Sequence, residues 1–496
     1  MSSTPRPSGS VTSNVSLLMF AKTIGFALNM ALPLILARRL DQTQFGLYKQ
    51  TFLVVATAIG VLPLGFGMSA YYFLPRHRDR ESQCAAILNI VLFNFTAGGL
   101  ACLALWLRPT LLELIFGNAG LVDYAPLIGV VIVLWISGSF LEIIPIAVGE
   151  VKRATVFIIA VQLTRTVVFV AAAVFAGTVR SLIYAAILQG VVQTCLVVGY
   201  LQWRFKGFWR SFNREMLRKQ LSYALPLGFA GLLYTVQTDL HNYVVSNRFG
   251  PAMFAIYSIG TFNLPLIGLL QEAVTALLIP KVGLLQQEKQ DREIIFLTAR
   301  AMRKLAAIYF PIYAALIVTG PEFLSVLFTD RYRASWPIFA VNLTLLPLGI
   351  LLQDPLFRAY YSQRYFLLRV RMVAFVALVF ALLAGTSWFG PLGAVSAVVC
   401  ITIVERSITI TRFARLTGVK RTDIVLLKDV GKLALAASMA GVAATVTRAL
   451  LWSGRPVTIV IACGVVCAIV YAASVLILGI ITSEEKALVR QRFPRL

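Results

Sequence analysis

Apolar runs of about twenty or more residues recur from one end of the chain to the other, each long enough to cross the ~30 Å hydrocarbon layer of a bilayer as a helix. They fall near 14–37, 46–73, 83–107, 125–149, 154–177, 182–202, 221–246, 252–280, 297–319, 336–361, 368–387, 391–411, 432–452 and 457–482. No water is present in that layer to satisfy backbone N–H and C=O groups, so such runs must form helices. The sequence therefore predicts an all-α polytopic membrane protein of about 14 transmembrane helices. Residues are 59% hydrophobic and 13% charged, against about 45–50% and about 25% in soluble domains. This excludes a soluble enzyme, a disordered chain and a nucleic-acid-binding protein. The connections are short, the longest lying near 203–220 and 412–431, and leave no room for a folded extramembrane domain. GxxxxGK[ST] is absent, so ATP hydrolysis by this chain is not expected.

The 45 Lys+Arg against 21 Asp+Glu test this map. Outside the spans, roughly 26 basic residues fall on one side and roughly 8 on the other, which puts both termini in the cytoplasm. Residues 1–13 read as a polar cytoplasmic leader, and the run after them is too long for a signal-peptide core, so it reads as a retained span. The six cysteines sit in apolar stretches without a CxxC pair, and only His77 and His241 are histidines. Neither a disulfide framework nor a metal site is expected, nor any cofactor.

An internal repeat is visible. Arg39 to Tyr48 (RLDQTQFGLY) returns as Arg248 to Tyr257 (RFGPAMFAIY) at an offset of 209. Pro109 to Phe116 (PTLLELIF) returns as Pro321 to Phe328 (PEFLSVLF) at 212, and Ala176-Gly177-Thr178 as Ala384-Gly385-Thr386 at 208. The chain thus reads as two pseudo-symmetric six-helix lobes, residues 14–202 (spans 1–6) and 221–411 (spans 7–12). An amphipathic cytoplasmic linker, 203–220, joins them. A basic cytoplasmic loop (412–431), two extra C-terminal helices (432–482) and a cytoplasmic tail (483–496) follow. Paired lobes enclosing a cavity suit an alternating-access transporter.

Phe45-Gly46-Leu47-Tyr48, Gly65 to Ala70, Gly320 to Phe328 with Tyr332 and Trp336, and Pro391 to Ala394 occur in this order. In them the chain resembles the multidrug/oligosaccharidyl-lipid/polysaccharide exporter superfamily, in its polysaccharide-transport (Wzx-like) flippase branch. The resemblance implies a flippase or exporter, not an enzyme. It would move undecaprenyl-diphosphate-linked oligosaccharide to the outer leaflet of a bacterial inner membrane, for polysaccharide biosynthesis. The implied partners are that substrate, membrane lipids and the polymerase and glycosyltransferases of the same pathway, around a monomeric transporter. Two other functions fit the composition, a drug/cation antiporter of the same superfamily and a membrane-embedded polysaccharide polymerase or ligase. Lys22 in place of a carboxylate on the first helix argues against the former, and the short outer loops argue against the latter.

Charges inside a span are costly and are therefore candidate functional groups. Lys22, nine residues into the first span, shares a helix face with Asn29, and Arg165 lies mid-span in the fifth. These three are the candidate ligands for an anionic diphosphate. The acids Glu142, Asp239, Glu272 and Asp354, with His241, are the candidates for ion coupling or gating. Glu142 and Asp354 are repeat partners, expected to pair with Arg165 and Arg371 across the following turn. Asp239, Asn242 and Ser246 make one polar stripe on the seventh helix and Gln237 with His241 a second, as a cavity-facing helix would.

Overall fold

The computed structural model describes residues 11–77, 79–352, 356–357, 360, 363–451 and 454–480, without side chains at 11–22, 26, 29, 227, 230, 265, 276 and 364. Among them every regular element is helical. The long helices are α1 (Val11–Arg39), α2 (Gln42–Val61), α3 (Arg80–Leu107), α4 (Ala125–Gly138), α5 (Val151–Phe175), α6 (Val179–Arg204) and α7 (Arg214–Gly260). After these come α8 (Pro265–Gln287), α9 (Asp291–Phe328), α10 (Trp336–Leu343), α11 (Arg364–Leu416), α12 (Lys428–Leu450) and α13 (Pro456–Ile477). Ten helices among the described residues are long and apolar enough to cross a membrane. Large apolar side chains such as Phe175, Trp388 and Phe380 are exposed, which is stable only against lipid. The protein is an all-α polytopic membrane protein.

Turn chemistry divides the helices. Asp41 caps α2 by accepting from the Gln44 amide at 2.7 Å, and Asp79 caps α3 through Ser82 at 2.8 Å. Two of the longest helices are each broken by a Gly-Pro pair. Gly250 (φ 74°) breaks α7 and Gly390 (φ 59°) breaks α11. A positive φ needs glycine, and the following proline restarts the helix where its missing N–H is harmless. The apolar helix Tyr365–Leu416 has 52 residues, about 78 Å if straight, more than twice the hydrocarbon thickness. Its break at Gly390 separates two span-length pieces.

The chain forms two compact units, Met1–Ala255 and Ile256–Leu496. The division falls after the break at Gly250, so the helix that opens the second sequence repeat packs with unit 1. Close backbone approach holds it there. A methyl at Gly46 on α2 would strike the carbonyl of Pro251, just past that break. The repeat is also visible in burial. Leu112 and Leu324, and Phe116 and Phe328, are all buried at the 212 offset.

Each unit has its own core. In unit 1, Phe205 and Phe208 insert beside Cys84, Ile87 and Leu88 of α3. In unit 2, Ala440, Ala444, Ile459, Cys463 and Cys467 join α12 and α13 to Ala315 and Val318 of α9. These are the two helices left over by the repeat, and the cysteines are packing residues there.

The segment 203–220 is not a single amphipathic helix. α6 ends at Arg204, Gly207 turns the chain (φ 81°), one 3₁₀ turn covers Phe208–Arg210, and α7 starts at Arg214. The aromatics still sort by face, with Phe205 and Phe208 inward and Trp203, Trp209 and Phe212 exposed.

Candidate functional site

Arg165 stands near the middle of α5, 14 residues from its start and so about 21 Å along the helix. Its guanidinium lies 4.8 Å from the ring centre of Trp135 on α4 and 5.9 Å from that of Phe169, one turn further on. Phe52 of α2 touches both rings and also Tyr48, at 5.9, 5.4 and 4.8 Å. The Trp135 indole is fixed by donating to the Ala186 carbonyl of α6 at 2.9 Å. The cage is thus built from four helices of unit 1. Among the described residues no carboxylate or hydrogen-bond acceptor meets Arg165, and its Nε is buried without a partner. The amide nitrogen of Gln162, one turn earlier on the same face, is also buried and has no partner among the described residues. Ring contacts contribute about 0.5–2 kcal/mol each, whereas a charged Arg at the centre of a spanning helix costs about 2.5–3.5 kcal/mol or more. The aromatic cage orients the cation and supplies no counter-charge among the described residues.

α1 covers this part of α5. A methyl at Gly25 would lie 3.5 Å from the Gln162 side chain. Lys22 is one turn before Gly25 and Asn29 one turn after it, but the side chains of both lie outside the described residues.

Glu142 does not pair with Arg165. The helix breaks after Gly138, and a turn followed by the short helix Ile143–Ala147 leaves Glu142 exposed. Arg165 lies several turns too deep for it. Asp354 lies outside the described residues, and Arg371 faces Glu405 at 3.9 Å. Glu272 is exposed on α8, and His241 is half-buried on α7.

The stripe on α7 meets α2. Asp239 accepts from Thr57 at 3.2 Å, and Ser246 accepts from the Gln50 amide at 2.7 Å. Asn118 donates to Gln50 at 3.1 Å, which extends the ladder. Asp239 and Ser246 therefore bind helix to helix within unit 1, where a cavity-facing stripe had been expected. The signal was present in the sequence. Gln50 and Thr57 are two turns apart on α2 and match the spacing of Ser246 and Asp239 on α7.

Two further charge centres escaped sequence reasoning. Glu150, in the turn before α5, accepts from Arg153 at 2.6 Å, Arg204 at 2.8 Å and Tyr200 at 2.9 Å. Burial raises its carboxyl, but these three donors together outweigh burial and hold it below the usual carboxylate range. In unit 2, Arg448 of α12 donates to Glu322 of α9 at 2.8 Å and to the Val318 carbonyl at 2.8 Å. From position alone, Arg448 reads as a snorkelling residue.

A family model described as a polysaccharide biosynthesis protein matches residues 35–337, more than half of the chain. The chain belongs to that family. Its fold is similar to that of the lipid II flippase MurJ in an inward closed conformation (TM-score 0.73, 12% identity), over 93% of this chain and 98% of that one. It is also similar to an inward-facing multidrug resistance MATE transporter of the MOP superfamily (TM-score 0.58, 16% identity, 82% of this chain and 99% of that one). A MOP superfamily transporter from Pyrococcus furiosus matches at TM-score 0.56 and 15% identity, over 84% of this chain and 99% of that one. The superfamily is the one that the sequence motifs resemble, and at these identities the likeness establishes the fold. No curated protein sequence matches the chain.

Proposed function

We propose that the protein is a flippase that carries undecaprenyl-diphosphate-linked oligosaccharide from the cytoplasmic to the outer leaflet of a bacterial inner membrane. The observation that carries this reading is the Arg165 guanidinium, held deep in unit 1 without a carboxylate or hydrogen-bond partner among the described residues. A diphosphate is the counter-charge such a site lacks, and Arg suits phosphate because its planar fork makes paired hydrogen bonds. Lys22 and Asn29 on α1, flanking the Gly25 contact with Gln162, complete the proposed head-group site. Membership in a polysaccharide biosynthesis family supports a saccharide cargo, and the fold shared with a lipid II flippase supports a lipid carrier.

In this reading fourteen spans form two six-helix lobes and a C-terminal pair, with both termini cytoplasmic. The head group crosses through a polar path while the prenyl tail stays in lipid. No bond is made or broken. One charge crossing 100 mV is worth about 2.3 kcal/mol, so a dianion leaving a negative interior gains roughly twice that. Asp239, His241, Glu272, Glu142 and Asp354 remain the proposed coupling or gating groups. Polymerase and glycosyltransferases of the same pathway are the proposed partners of a monomeric transporter.

Proteoliposomes carrying a labelled lipid-linked oligosaccharide test the reading. Head groups become accessible from the opposite face only when the protein is present. Equal accessibility without the protein overturns the reading.

A further inference from the structure

At the basic end of unit 1, the start of α5 and the end of α6 leave an open groove of ≈ 350 Å³. Phe157, Cys195, Leu196, Gly199 and Tyr200 line it, and Arg153 and Trp203 stand nearest the helix ends. The walls are almost wholly apolar. A methyl added at Gly199 would meet no heavy atom within 4 Å, so that wall faces open space. The rim has a different character. The Arg153 guanidinium lies 4.2 Å over the Trp203 ring, and its side chain is 46% exposed. Glu150 holds Arg153 in that pose but also serves Arg204, so one carboxylate is shared by two guanidinium groups and a positive charge is left over. Lys152 and Lys206 are exposed beside this rim, and Trp209 and Phe212 are exposed just beyond it with Arg210 and Arg214. Exposed aromatics among cations occupy the level of lipid head groups.

We propose that this groove is a binding site for an anionic phospholipid. One acyl chain lies along Phe157, Leu196 and Gly199, and the phosphate meets Arg153. Trp203 fixes the depth at which the head group sits. Basic side chains near the membrane surface attract anionic lipid, and an apolar groove ending in a pre-oriented guanidinium selects it over zwitterionic lipid. The site is separate from the Arg165 cage and does not depend on the cargo.

The full chain in phosphatidylcholine nanodiscs is photolysed with a trace of phosphatidylglycerol carrying an acyl-chain diazirine, or with the matching phosphatidylcholine. Adducts are mapped by mass spectrometry. Phosphatidylglycerol should label residues 157 and 195–200 about fivefold more than phosphatidylcholine does. Arg153→Gln should bring the two lipids to equal labelling. Gly199→Leu, whose Cβ meets no protein atom within 4 Å, fills the groove and should abolish those adducts for both lipids, with the protein still monodisperse. Equal labelling of the wild type by the two lipids, or unchanged labelling in Gly199→Leu, overturns the assignment. Displacement of phosphatidylglycerol by undecaprenyl diphosphate also overturns it, and gives the groove to the tail of the cargo.

Discussion

In unit 2 the Arg448 guanidinium ends on Glu322, whereas in unit 1 the Arg165 guanidinium ends on two aromatic rings. Unit 2 also joins Arg371 to Glu405, Arg303 to Asp429 and Arg292 to Asp423, at 3.9, 3.6 and 2.6 Å. At the repeat offsets of 208–212, Arg165 falls on the apolar stretch Val373 to Ala377, so its counterpart region carries no cation. Charge joins helices in both units, through Glu150 in unit 1 and Glu322 in unit 2. The two units differ in that the mid-span cation Arg165 of unit 1 has no counter-ion among the described residues. Under the proposed function, the counter-charge at Arg165 is an anion that comes and goes.

The largest effect expected on stability is at the paired site. Arg448→Ala strands the carboxylate of Glu322 and should destabilise the folded protein in detergent by about 2–3 kcal/mol, after discounting for the partial exposure of Arg448. Exchanging both partners for apolar residues of similar size should recover most of that loss.

The unpaired site should respond with the opposite sign. Arg165→Met removes a charge with no counter-ion, and the expected outcome is unchanged stability or a gain of up to about 1 kcal/mol. A loss as large as that of Arg448→Ala would erase the contrast between the units.

Glu150 gives a pH test of about 1 kcal/mol, small because its network is partly in water. Its folded carboxyl is held below the ordinary range. The stabilisation it contributes is therefore present above the unfolded value, about 4.3, and is lost as pH falls through the lower folded value. Wild type should exceed Glu150→Gln in stability near neutral pH, and the gap should close in acid. A gap that persists at low pH would show that the carboxylate charge is not what matters.

The smallest effect belongs to the ladder between α2 and α7. Thr57→Val keeps the shape and removes one donor to Asp239, so about 0.5–1 kcal/mol should be lost. No loss in a thermal shift assay would mean that Asp239 is held by other groups.

The helices were legible because hydrocarbon forces apolar length and internal hydrogen bonding on every span. The offset repeat was legible because burial repeats with it, as at Leu112 with Leu324 and Phe116 with Phe328. Partner choice was not. Glu142 and Arg165 appeared matched when depth was counted along the sequence, but the break after Gly138 moves the acid out, and no periodicity signals a break of that kind. Glu322 was visible only as part of a motif, because its partner Arg448 lies 126 residues away. The stripe on α7 was legible as polar and its partners on α2 were not, since a helix face does not say what will cover it. Arg165 was legible as a deep cation, and its aromatic cage was not, because Trp135, Phe52 and Phe169 come from three helices.

The central claim is that Arg165 meets the anionic head group. Its most direct test compares transport of lipid-linked oligosaccharide by wild type, Arg165→Lys and Arg165→Ala in proteoliposomes at matched protein density. Arg165→Ala should fall by about 30-fold or more, the loss of one charge-assisted contact of about 2–3 kcal/mol. Arg165→Lys should keep a substantial part of the rate, because the charge survives. Wild-type transport by Arg165→Ala would contradict the account.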